Sequence, residues 1–409
     1  MRGQSLNLVI FEYVSGGGYS DQKLSSSILS EAYGMLRSLV SDFKNAGHNV
    51  TTLMDSRLVE FNAPVKANKI VPVYTQNQIE KKIEELSSLV DYFYVIAPES
   101  GQILQKILQI IEDFGGLSLN SEIDAVNCVS NKMTVFEKFK QSGLKVPETV
   151  VLDTKEKTEI IRRQVKELGY PLIIKPLEGT SCGGLSKVKD ENEISKAIKK
   201  VTQDSTSRQF VAQELVKGQP VSACVISTGD KATALSLNKQ LVNLSSPTGD
   251  STYIGGVVPF KHILEIEALR AAEKAVEAVN GLKGYVGVDL TLSDKEPILI
   301  EINPRLTVSY IGINRVANFN TADVITDAVT KQKLPIENQT MGYCYFSKIK
   351  VPSCPLNVSQ TYKLKDVISP PFSTSESEVF TLIASSSRTN KGAKSAFYRS
   401  KKRLLSIWR

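Results

Sequence analysis

The stretch "VGVDLTLSDKEPILIEINPR", Val286 to Arg305, constrains the chain more tightly than any other. Two apolar runs flank a polar turn at Ser293 to Glu296, which predicts a β-hairpin. Residues i and i+2 of a strand share a face, so Glu301 and Asn303 point the same way, and Asp289 on the other strand can join them across the ladder. Two carboxylates and an amide oxygen make a hard oxygen site. Such a set suits Mg²⁺, with Mn²⁺ as the alternative, because this kind of cation takes few protein oxygens and completes its shell with water and phosphates. The plainer reading, satisfied polar positions at a strand end, leaves unexplained why apolar "ILI" should run into "EINPR".

The rest of the composition narrows the chemistry. The two histidines, His48 and His262, are too few for a histidine-centred metal site, and the five cysteines lie far apart with no close pair, so they read as free thiols in a reducing compartment. Acid–base and metal work therefore fall to carboxylates, lysines and arginines. No apolar stretch reaches the roughly 20 residues of a membrane span. The opening "MRGQSLNLVIF" has too short an apolar core for a signal peptide, so the expected location is the cytoplasm. The net charge of +7 is concentrated: residues 386–409 hold eight basic side chains and no acidic one, leaving the body near neutral. That tail reads as a solvated terminal helix or a frayed end, with contact to nucleic acid or anionic lipid as the weaker alternative.

With 409 residues the chain exceeds one compact core. Residues 1–120 alternate strand-like and helix-like segments, which predicts a small parallel α/β unit. Within it "VIFEYVSGGGY", Val9 to Tyr19, reads as strand then loop, but three adjacent glycines lack the spacing of a dinucleotide fingerprint. From Ser130 or Asn131 a capped helix starts with Lys132 in its first turn and stops at Gly143 and Pro147. Next, "PLIIKPLEGTSCGG" delivers Lys175 on an apolar strand ahead of Gly179, Thr180, Ser181, Gly183 and Gly184. A fixed ammonium and small residues whose N–H groups close over anionic oxygens can bind two parts of one polyphosphate, although a plain β-turn would also explain the glycines.

The order of Lys132, Lys175, the glycine-rich loop, the segment "QELVKGQPVS", then Asp289, Glu301, Asn303 and Arg305 resembles the ATP-grasp superfamily of carboxylate–amine ligases over about residues 121–330. "FEYVSGGGY", "YIGG" and "INPRLTVSYIG" look most like its tyramine–glutamate ligase branch. The resemblance implies an α/β chain, α+β in part: an ATP-grasp fold with a preceding α/β domain at 1–120, a nucleotide-binding lobe at about 130–212, a metal and catalytic lobe at about 213–330, and a mixed extension with a basic tail at 331–409. It further implies that Lys132 and Lys175 contact the α- and β-phosphates of ATP, and that the 178–186 loop closes over the β- and γ-phosphates. Gln213, with the backbones of Glu214 and Val216, would receive adenine. Asp289, Glu301 and Asn303 would hold Mg²⁺, and Arg305 would face the reacting carboxylate.

One position departs from the pattern: relatives commonly place an acidic residue two places after the hinge glycine for the ribose, whereas Gly218 is followed here by Gln219 and Pro220. In the ligase reading the γ-phosphate passes to a carboxylate, and an amine then attacks the acyl phosphate to form an amide. Phosphoryl transfer asks for positioning and charge neutralisation, which this histidine-poor chain can supply. The expected partners are a small carboxylate and an amine, with a homo-oligomer allowed and neither membrane nor nucleic acid expected. Two rival readings stay open. One is a relative using a thiol or bicarbonate; the other is a non-catalytic nucleotide-binding regulator with a nucleic-acid-binding tail. In the triple-glycine loop, Glu12, Tyr13 and Tyr19 are candidate substrate contacts, and a core role for the aromatics is the alternative.

Overall fold

The computed structural model describes residues 5–177, 182–205, 207–336, 339–352, 358–372 and 379–408. The first strands, β1 (Asn7–Glu12), β2 (Asn49–Asp55), β3 (Lys69–Val73) and β4 (Tyr92–Ile96), form a parallel sheet in the order β3-β2-β1-β4. β1 is buried at every position from Leu8 to Glu12, as a strand covered on both faces must be. Its side chains alternate: Leu8 and Ile10 pack with the helix Ser26–Asn45, while Val9 and Phe11 pack with the helices Gln78–Ser87 and Ile103–Asp113. The glycines that follow β1 are buried. A Cβ on Gly16 would lie 2.4 Å from the Phe11 ring, and one on Gly18 would lie 2.5 Å from the Tyr13 ring. Close packing against the chain's own aromatic rings therefore requires those glycines.

A second, antiparallel sheet has the order β5-β8-β6-β7, from β5 (Thr149–Asp153), β6 (Leu172–Pro176), β7 (Ser186–Val188) and β8 (Gln209–Glu214). Leu172, Ile174, Phe210 and Ala212 point into a core with the helices Thr158–Val165 and Ile194–Asp204. By the period of two, Ile173, Lys175, Val211 and Gln213 fall on the opposite face.

The third sheet is antiparallel with eight strands in the order β13-β12-β9-β10-β11-β14-β16-β15. Its strands are β9 (Gln219–Gly229), β10 (Ala232–Asn243), β11 (Thr252–Val258), β12 (Leu282–Leu292), β13 (Pro297–Asn303), β14 (Tyr343–Val351), β15 (Val367–Ser369) and β16 (Val379–Ser387). The last part of the chain thus supplies three strands of this sheet. Gly255, in the "YIGG" stretch, meets β14 so closely that a Cβ there would sit 2.1 Å from the Phe346 carbonyl oxygen. The basic helix Asn390–Leu405 buries Ala393, Phe397 and Leu404, with Phe397 and Leu404 in a core shared with β14 and β16, and leaves most of its lysines and arginines outward. Among the described residues no helix is long and apolar enough to cross a membrane.

The helix Ser26–Asn45 shares one core with both the parallel sheet and the large sheet, through Leu29, Tyr33, Leu36, Ile311, Phe346 and Leu382. Near its end, the buried Asp42 carboxylate accepts from Tyr310 Oη at 2.5 Å and from Asn314 Nδ2 at 2.6 Å, and Asn320 Nδ2 donates to the Asp42 carbonyl. Burial pushes the Asp42 carboxyl up to about 6, against the opposing pull of those two donors. A folded value above the unfolded one of about 3.9 means that this group's stabilisation is complete below about pH 4 and is lost as pH rises through about 6. Asp42→Asn keeps an acceptor and lets the Tyr310 hydroxyl reverse, so in urea titrations it should show a flatter decline in stability from pH 4 to 7 than wild type. Asp42→Ala strands two buried donors and should cost about 2–4 kcal/mol.

Candidate active site

The β12–β13 hairpin forms with Asp289 directly opposite Glu301 and Gly287 opposite Asn303. The register shifts beside this pair, where Leu290 faces Leu299, so Ile300 is an extra residue in β13. Such a bulge turns the strand end and re-aims its side chains. Asn303 Nδ2 donates to Asp289 Oδ2 at 3.2 Å, and Gln240 Nε2 donates to Oδ1 at 2.9 Å. Burial, and after it the neighbouring Glu301 charge, pushes the Asp289 carboxyl up to about 7. Among the described residues there is no group of three His, Cys, Asp or Glu suited to a metal ion, so a cation here would meet two carboxylates and one amide. That donor set fits Mg²⁺: its groups offer oxygen, it is incomplete, and its Asp289 carboxyl is held toward the neutral form, which a cation would reverse.

Facing this hairpin is the opposite charge. Asn131 caps the helix Lys132–Gln141 by accepting from Met133 N and Thr134 N, and this places Lys132 in the first turn. A lysine there opposes the helix dipole, so its position is not explained by helix stability. Its ammonium donates to the Leu177 carbonyl at 2.9 Å and lies 3.7 Å from Glu301 Oε2. Lys175, on the free face of the small sheet, is buried and donates no hydrogen bond among the described residues. Burial and then the Lys132 charge lower it to about 8. The Lys175 ammonium and the Asp289 carboxyl are thus both held toward their neutral forms, and an anion bound with a divalent cation would relieve both.

Arg305 follows the hairpin, and its Nε lies 2.9 Å from Glu99 Oε1, in an ion pair whose partners are about 15% and 13% exposed. Glu99 lies just beyond the carboxyl end of β4, and Glu12 ends β1. Both occupy the end of an open parallel sheet where ligand-binding groups gather. Glu12 accepts from Val14 N, Ser15 N and Ser15 Oγ, and burial pushes its carboxyl up to about 6 in spite of those bonds. Tyr13 is buried, with Tyr19 edge-on to it, and its hydroxyl accepts from Gln76 Nε2. A narrow cleft lined by Glu99, Ser100, Ser130, Lys132 and Glu301 runs into this region.

Of the other residues expected at the site, Gly179, Thr180 and Ser181 lie outside the described residues. Gly184 has φ +68°, and its N–H is already given to Asp204 Oδ2 at 2.8 Å, while Gly183 is exposed. Gln213 spends its amide on Thr149 Oγ1, and the Glu214 N–H donates to the Glu148 carbonyl. Val216 lies past the last paired residue of β8 in the connection to β9, where a Cβ on Gly218 would sit 2.1 Å from the Leu292 carbonyl oxygen. Gln219 folds its amide back onto the Pro220 carbonyl. Burial, and then Glu31 and the two hairpin carboxylates, pushes the Cys182 thiol up to about 11. Sequence reasoning missed Glu99 and Gln240. For Glu99 a signal existed, an acid just after "YFYVIAP", whereas nothing near Gln240 marks it.

The chain is similar to known proteins. An ATP-grasp domain family model matches residues 129–309, and a pre-ATP-grasp domain model matches residues 48–126. The tyramine–L-glutamate ligase of Methanocaldococcus fervens is 30% identical over 308 residues, covering 75% of this chain and 89% of that protein. That of Methanocaldococcus jannaschii is 28% identical over 332 residues, covering 80% and 90%. The crystal structure of N5-carboxyaminoimidazole synthase from Aspergillus clavatus, in complex with ADP and its ribonucleotide, superposes with a TM-score of 0.69 at 16% identity, covering 99% of each chain, and so shares the fold. The chain belongs to the ATP-grasp family, among its ATP-dependent ligases that form carbon–nitrogen bonds.

Proposed function

We propose that this protein joins a small carboxylic acid, an amino acid such as glutamate, to an amine through an acyl phosphate, with release of ADP. The observation that carries the reading is the convergence of two buried lysines on an Asp289–Glu301–Asn303 hairpin that runs directly into Arg305. Lys132 and Lys175 would hold the α- and β-phosphates of ATP, and Gln213 with the backbones of Glu214 and Val216 would receive the base. Asp289, Glu301 and Asn303 would hold Mg²⁺, which when bound would supply positive charge to offset that of the phosphates. Arg305, oriented by Glu99 at its Nε, would present its remaining N–H groups to the substrate carboxylate and later to the oxyanion formed as the amine attacks. The carboxylate oxygen bonds to the γ-phosphorus as the bond to ADP breaks. The amine nitrogen then bonds to the carbonyl carbon as inorganic phosphate leaves. With its thiol held protonated, Cys182 is a small loop residue in this scheme rather than a nucleophile.

Incubating the protein with Mg–ATP and a panel of amino acids and biogenic amines should give ADP release that depends on both an acid and an amine, with the amide identified by mass. ADP release that needs neither would overturn the reading. Glu301→Gln should lower kcat by at least about 10²-fold while leaving the circular dichroism spectrum and Tm near wild type. Near wild-type ADP formation by that variant would remove the metal assignment. Lys175→Ala should raise KM for ATP and lower kcat together, because its ammonium would meet phosphate in both ground and transition states. A variant kinetically equal to wild type would mean that Lys175 serves only the strand.

A further inference from the structure

A second buried charge pair lies near the site and has no part in the chemistry above. Glu31, on the helix Ser26–Asn45, and Lys348, on β14, meet at 2.5 Å with side chains only 11% and 13% exposed. Lys348 also donates to Ser27 Oγ at 3.1 Å, which leaves its ammonium one further proton to give. The Glu31 oxygen facing Lys348 is fully buried, and the other accepts no hydrogen bond among the described residues. Lys348 lies beyond the stretch of chain that the family models match.

Other contacts also hold the helix of Glu31 in place. The same helix is tied to the large-sheet side by Arg37 Nη1, which donates to the Val367 and Ile368 carbonyls, and by the Asp42 network. An ion pair this desolvated contributes little net stability, and apolar residues of similar volume commonly serve as well or better. Its position is the informative property. In the large sheet Ser347, next to Lys348, donates to the Ile254 carbonyl of β11, and β11 pairs with β10, whose Gln240 donates to Asp289; the charges of Glu31 and Lys348 also bear on Cys182. The pair therefore lies two strands from Gln240, the donor to Asp289, in the sheet that carries the hairpin. A carboxylate beside an ammonium presents the two charges of a zwitterion in reverse. Adding a cation alone, or an anion alone, would leave a net charge buried there, whereas a zwitterion completes an alternating set of four charges.

We propose that Glu31 and Lys348 form the recognition subsite for the ammonium and carboxylate groups of an amino-acid substrate. This rests on the ligase reading for its place in the reaction, but it can be tested by binding alone. With Mg–ADP present, calorimetric titration and thermal shift of the full chain should show L-glutamate or L-aspartate binding in preference to glutarate or succinate, which lack the ammonium. Glu31→Gln should weaken the amino acid at least about tenfold and abolish the preference over the diacid, with nucleotide affinity unchanged. The double variant Glu31→Leu/Lys348→Met should retain the wild-type Tm within a few degrees and show the same loss, which separates recognition from folding. This holds whether or not turnover is seen, so an absence of acid-dependent ADP release would count against the ligase reading alone. Equal binding of amino acid and diacid by wild type, no binding of either amino acid, or unchanged amino-acid affinity in Glu31→Gln would overturn the proposal.

Discussion

The Lys132 ammonium, bonded to the Leu177 carbonyl and facing Glu301, joins the two halves of the site. Leu177 ends the segment that carries Lys175, and Glu301 belongs to the hairpin of the large sheet. One side chain from a capped helix therefore sets how near the cationic face of the small sheet comes to the anionic strand end of the large one. Lys175 lies two residues before Leu177, and Asp289 directly opposite Glu301. Burial lowers the Lys175 ammonium and raises the Asp289 carboxyl, so each is pressed toward neutrality. A polyphosphate carrying a divalent cation restores full charge to both.

Much of this could be read from the sequence because it depends on local period. The two-residue repeat of a strand settles that Glu301 and Asn303 share a face, and that Lys175 lies opposite the helices packed on Leu172 and Ile174. A cap residue ahead of a helix settles where Lys132 falls. Other contacts had no local signature. Gln240 reaches Asp289 only through strand order, and Lys348 meets the Ser26–Asn45 helix across 321 residues of chain. The bulge at Ile300 was also invisible, because an extra residue in an apolar run leaves the pattern apolar. The triple glycine stood out in the sequence, yet its buried place reflects tight packing on Phe11 and Tyr13.

The N-terminal unit and the last strands are coupled through one helix. Ser26–Asn45 covers the parallel sheet on one side and packs against β16 and the helix Tyr310–Val316 on the other, closely enough that a Cβ on Gly34 would lie 2.8 Å from Leu382 and 2.9 Å from Ile311. Glu12 and Glu99 arrive from the carboxyl ends of the first sheet, Arg305 from the hairpin, and Lys348 from the final sheet strands. Shared packing holds the first and the large sheet together, and the Arg305–Glu99 pair bridges them.

In the proposed reaction a carboxylate oxygen of the substrate attacks the γ-phosphorus of ATP. Its most direct test uses an acid carrying heavy-oxygen label in the reacting carboxyl group, supplied with amine and Mg–ATP, followed by mass analysis of the released phosphate. The mechanism predicts one labelled oxygen in each phosphate formed and one fewer in the amide than in the acid. Amide formation with unlabelled phosphate would contradict it.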